Sequence, residues 1–169
     1  MNELDNLWQQ MMEQAIGKTK NADLAEYLAL KASNDRIRST GCQWLFDSFL
    51  ELSEEVNRRG IRLEIESENP HRFPSGNSTI VGSLLKFQHG VRCLTIEAGW
   101  TRTPKDGFMR GGALALARIS HFGISKENAE LSLLLKKDLP EWFTFQAGKR
   151  KQFDSNDLRQ HFRIFLGDL

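Results

Sequence analysis

Cysteine is scarce in this 169-residue chain. Cys42 and Cys93 are too few for a disulfide scaffold and too isolated for a zinc site built from paired thiols. Long apolar runs are missing as well. The longest, residues 113–117 and 133–135, fall far short of the ~18 residues that a membrane-spanning helix needs. The first residues, Met1-Asn2-Glu3-Leu4-Asp5, are acidic where a secretory or transit peptide is basic. These absences together give the expectation of a soluble, cytoplasmic protein with reduced thiols and no membrane partner.

Signatures of chemistry are also lacking. There is no GxSxG, no GxxxxGK[ST] and no GxGxxG, and Gly111-Gly112 after Arg110 matches none of them. The four histidines (His71, His89, His121 and His161) show neither HxxxH nor HxxH spacing. Carboxylates such as Glu54-Glu55 and Glu64/Glu66/Glu68 are spaced like solvated faces. The expectation is no catalytic residue, no metal and no cofactor. Cys93 and His121 form a conceivable couple without a flanking signature, and an enzyme assembled from residues distant in sequence stays open as a second alternative.

What is present reads as helices, then strands, then a helix. Leu4, Leu7, Trp8, Met11, Met12 and Ala15 recur with helical spacing, closed by Gly17. A weaker helix begins near Asn21 or Asp23. Thr40 and Gln43 have capping-box spacing and predict the start of a third, whose stripe is Cys42, Leu45, Phe46, Phe49, Leu52 and Val56 and whose stop is Gly60. The period then changes from 3.6 to 2, with Ile61, Leu63 and Ile65 alternating with charged residues, before a loop over 69–78. Residues 79–88 and 91–100 predict a hairpin joined at His89-Gly90. Strands are expected over 113–120, 126–137 (where a helix also suits the pattern) and 142–146. A closing helix runs from about Ser155 and is ended by Gly167. The fold class expected is α+β in a single domain, 1–169: helices over about 1–60, an antiparallel sheet of about four to six strands over about 61–146, and a C-terminal helix, about 155–166, on one sheet face.

A hairpin pairing Gln88 with Val91 places Lys86 opposite Cys93 and Gly82 opposite Glu97. The next strand then brings Ala115 opposite Glu97. One face carries Leu85, Phe87, Leu94, Ile96 and Leu116. The other carries Gly82, Lys86, Thr95, Glu97, Ala113, Ala115 and Ala117, a floor of small residues that a ligand can approach, with Lys86 and Glu97 as its polar groups. A one-residue slip would exchange the faces.

The most informative polar segment is the turn-rich stretch from 100 to 112. Trp100 and Phe108 flank Arg102, Lys105 and Arg110, a set that suits a protein contact, a small anion or stacked bases. A second basic cluster is Lys149, Arg150 and Lys151. The net charge of +1 conceals 8 basic against 13 acidic residues over 1–70 and 15 against 9 over 71–169. The leading expectation is a binding or adaptor protein without catalysis, using the sheet face and the 100–110 loop toward a protein or small ligand. The alternative is nucleic-acid binding through 102–110 and 149–151, although a pI of about 7.8 is below the usual basic footprint. Self-association through the N-terminal stripe is also open.

Overall fold

The computed structural model describes residues 3–17 and 22–167, with side chains of 15–17 left aside; Ala15 of the N-terminal stripe lies outside the described side chains. The chain divides into two compact units, Met1–Ile37 and Arg38–Leu169. In the first, α1 (Glu3–Gly17) ends where its glycine predicts, and Trp8 lies 5.9 Å, centroid to centroid, from Tyr27 of α2 (Ala22–Arg58). Leu4 and Leu7 remain exposed. A Lys31–Asp35 bridge of 2.9 Å spans one helical turn.

Residues 22–58 form one helix, so Thr40 caps nothing. The expected break fails because nothing over 31–40 stops a helix, and Gln43 reaches forward to Asp47 at 2.7 Å instead of back to position 40. Gly41 lies inside the helix for a packing reason: an added Cβ would fall 2.6 Å from a Leu133 methyl. Its carbonyl also accepts the Trp142 indole N–H at 3.1 Å.

The second unit is an α+β assembly on a seven-stranded antiparallel meander. Its strands are β1 (Glu64–Ser75), β2 (Ser78–His89), β3 (Arg92–Trp100), β4 (Ala115–His121), β5 (Ala129–Lys136), β6 (Leu139–Gln146) and β7 (Lys149–Gln152), paired in chain order. The count exceeds expectation because the basic cluster 149–151 is itself an edge strand. Of the segment 126–137, Ala129–Lys136 forms a strand, preceded by a 3-10 turn over Ser125–Glu127. The loop expected over 69–78 is mostly strand too: β1 passes Asn69-Pro70, a cis peptide, by an irregularity between Glu68 and His71 and then resumes pairing with β2.

The β2–β3 turn lies at Gly90-Val91, where Gly90 has φ +61, so Gln88 pairs with Cys93 rather than Val91. That two-residue offset keeps every side chain on its expected face. The next pairing is offset by three residues, because the 101–114 connection holds two short 3-10 turns and delays β4. Glu97 therefore pairs with Arg118, not Ala115. The odd offset turns β4 over: Ala115, Ala117 and Ile119 join Leu94, Ile96 and Ala98, while Leu116 and Arg118 join Glu97. The expected floor of alanines does not exist.

One sheet face is the core. Leu85, Phe87, Leu94, Ile96, Ile119, Leu131 and Leu133 are buried with Leu45 and Phe49 of α2 and Leu158, Phe162 and Phe165 of α3 (Ser155–Leu166). Phe87 meets Phe49 at 6.5 Å and Phe162 edge-on at 5.7 Å. Burying such side chains stabilises by about 1.5–3 kcal/mol each, which fixes both helices to this face. α3 follows its sequence signals. Asp154 accepts from the amides of Asn156 and Asp157, the Asp157 carboxylate accepts from the Asp154 amide, and Gly167 closes the helix at φ +70.

Candidate functional site

The face opposite the helices is where polar groups gather. A cavity of about 260 Å³ has both the end of β1 (Phe73, Pro74) and the end of β6 (Phe145) in its wall. Four strands separate these two in sheet order, so the sheet is curled about this face. A close crossing of β2 and β3 lies within it. Gly82 and Gly99 pair directly, and a Cβ on Gly82 would run into the Ala98 carbonyl oxygen and lie 2.6 Å from the Gly99 Cα. Only glycine permits that approach.

Glu97, buried on this face, is the hub. Its Oε2 lies 2.7 Å from His71 Nε2, and its Oε1 accepts from Arg118 Nε at 3.0 Å, with Nη2 also at 3.0 Å. Arg118 sits over the Phe73 ring at 5.3 Å and reaches the Pro74 carbonyl at 3.5 Å. His71 stacks on Phe73, and its other ring nitrogen is 3.6 Å from Glu68. A buried carboxylate is stable only with such partners. Nε2 of His71 and both oxygens of Glu97 are therefore engaged within the cluster, while Nδ1 of His71 stands beside the exposed Glu68 carboxylate. Arg118, about one-third exposed, lines the cavity together with Ser132 and Thr144.

Among the residues expected from sequence, Glu97 lies at this centre and Lys86 half-buried one row away, 3.6 Å from Glu66. The loop residues stand at the end of the sheet. Arg102 lies over the Trp100 ring at 3.6 Å, and Lys105 is in an exposed 3-10 turn with its neighbour Asp106 3.6 Å from Arg72. Phe108 is 81% exposed, and the Arg110 guanidinium rests on Gly76. Ser78 donates to the Phe108 carbonyl, so this loop braces the β1–β2 corner that walls the cavity. Arg150 of β7 sits 5.0 Å over Phe143, and Lys151 pairs with Asp157 at 3.5 Å; Lys149 is exposed.

His71 and Arg118 were not legible as site residues. His71 lay within what reads as a loop, and Arg118 in a strand whose register the turn chemistry does not fix. Among the described residues no three His, Cys, Asp or Glu side chains gather as a metal would require. The Cys93–His121 couple is ruled out by geometry, since the two alternate to opposite faces across the Leu94–His121 pair. His121 instead hydrogen-bonds His161 of α3 at 2.9 Å in a stacked pair. Burial, aided by the His161 charge and opposed by Glu127, holds His121 down to about 4; burial likewise lowers His161, against Asp157 and Glu127. Burial pushes the Cys42 thiol up to about 12, against the Arg102 charge, which makes it unreactive near neutrality.

No described helix is long and apolar enough to cross a membrane. Compared with protein-family models, curated proteins and solved structures, the chain finds no match in any of the three.

Proposed function

We propose that this chain is a binding module without chemistry of its own, taking a small acidic ligand onto the curled face of its sheet. The observation that carries this reading is the fixed Glu97–Arg118 contact beneath a cavity of about 260 Å³. Glu97 holds the Nε–Nη2 edge of the guanidinium and so fixes its plane; Nη1, whose contact with the Pro74 carbonyl is long at 3.5 Å, is the donor left for an entering carboxylate. Phe73 and Phe145 supply apolar walls around it, the usual mix for a ligand site. Both oxygens of Glu97 are held by neighbouring side chains, which favours a positioning role for this carboxylate. The 100–110 loop serves this reading as the brace of the cavity's β1 wall.

The test is titration of the nitrogen-15-labelled protein with succinate and with an acidic hexapeptide, followed by amide shifts. Saturable shifts over 116–118, 129–132 and 144–146, weakened at least about fivefold in Arg118→Gln, are expected. Shifts elsewhere only, or an unchanged affinity in Arg118→Gln, would overturn the reading.

A further inference from the structure

The wall of the curled-face cavity carries a second charge beside Arg118. Glu97, Arg118 and Glu130 stand in one row across β3, β4 and β5, because Glu97 pairs with Arg118 and Arg118 with Glu130. Directly paired residues send their side chains to the same face, with Cβ atoms about 5 Å apart. Here that face is the curled one, while Leu131, next to Glu130 in the chain, alternates into the core. Arg118 therefore has an acid on either side of it. It bonds Glu97 through Nε and Nη2, and no ion pair joins it to Glu130. Glu130 is exposed, lies in the cavity wall and has no hydrogen-bond or ion-pair partner among the described residues.

Apolar side chains stand next to this pair of charges. Leu116 precedes Arg118 on the same face of β4. Phe145 of β6, 62% exposed, lies on that face two residues past the Ser132–Phe143 pair, and it also lines the cavity. A carboxylate arriving at Arg118 without a counter-charge would meet the Glu130 carboxylate on the neighbouring strand. A cation carried close to the ligand's carboxylate turns that repulsion into attraction. From this we infer that the ligand of the curled face is an α-amino acid with an apolar side chain. Its carboxylate takes the Nη1 donor of Arg118, its ammonium pairs with Glu130, and its side chain lies against Leu116 and Phe145. The inference rests on the carboxylate-binding role proposed above for Arg118 and adds the second charge and the class of ligand.

The test titrates three compounds into the nitrogen-15-labelled full chain: leucine, 4-methylpentanoate (leucine without its ammonium) and 3-methylbutylamine (leucine without its carboxylate). Leucine should bind at least about threefold tighter than 4-methylpentanoate, with saturable shifts at the amides of 116–118 and 129–132. Glu130→Gln should abolish that preference by weakening leucine, while 4-methylpentanoate binds at least as tightly as to the parent. Glu130 is exposed and unpaired among the described residues, so its substitution spares the fold, which the amide spectrum of the variant checks. Arg118→Gln should weaken both carboxylates. Equal binding of leucine and 4-methylpentanoate, or a preference that survives Glu130→Gln, would overturn the inference and leave the carboxylate site standing. Amine binding as tight as that of leucine, or no saturable leucine binding, would overturn it too, and the succinate titration then shows separately whether Arg118 takes a carboxylate.

Discussion

At the scale of single residues, the polar face depends on two positions that carry no side chain. Gly82 and Gly99 face one another across β2 and β3 so closely that a methyl group on either meets backbone atoms of the other strand. Backbone cannot rotate away as a side chain can. Gly82→Ala should therefore cost about 2–3 kcal/mol, read as a lowered urea midpoint, although alanine normally suits a strand as well as glycine does. The same substitution should loosen His71, which pairs directly with Gly82, and shift its ring signals. A midpoint within about 0.5 kcal/mol of the parent would show that the strands can separate without penalty. The hub itself was half legible. Glu97 stands out as an acid among apolar neighbours, whereas His71 and Arg118 come to it only through a bulge and a register that no local pattern specifies.

At the scale of elements, local signals succeeded where the chemistry is local. The α3 cap at Asp154, its stripe and its glycine stop at Gly167 all flank or lie within one helix of 12 residues, and the helix obeys them. The Thr40–Gln43 spacing has the same form but lies inside a continuous helix, because a capping box only starts a helix where the chain before it is not already helical. In the sheet, an offset of two preserved the faces of β3 and an offset of three inverted those of β4, so the small-residue floor read from the sequence was really part of the core. α3 also carries a pH dependence through His161. Burial favours the neutral form of both partners in the His121–His161 pair, so each binds a proton less readily folded than unfolded. Stability from this pair is complete above the ordinary histidine value near 6.5 and falls as the pH drops toward about 4. By pH 5 the loss should be about 1–2 kcal/mol, seen as a lower urea midpoint than at pH 7. His121→Phe should flatten that dependence. An equally steep dependence in the variant would place its origin in other groups.

At the scale of the whole chain, the division into an acidic first part and a basic remainder suggests an anionic partner only if the cations are available. Much of that charge is engaged internally. Glu55 approaches Arg159 at 3.8 Å and Glu66 approaches Lys86 at 3.6 Å, so acids from the first 70 residues meet bases from the rest. Within the basic segments, Arg102 lies over Trp100, Arg110 on Gly76, Arg150 over Phe143, and Lys151 against Asp157. A phosphate backbone would have to compete with each of these contacts, and nonspecific affinity grows with the number of cations that face it together. The first basic segment braces the β1–β2 corner, and the second is itself the edge strand β7. A fluorescent oligonucleotide titrated to about 10 µM protein in about 50 mM salt should accordingly show no saturable rise in anisotropy. A salt-sensitive rise that disappears in Arg102→Ala/Arg110→Ala would reverse the conclusion, because it would show those guanidinium groups leaving their intramolecular contacts for phosphate. The flat titration is the expected result, since in this fold the basic residues act first as braces for its own sheet.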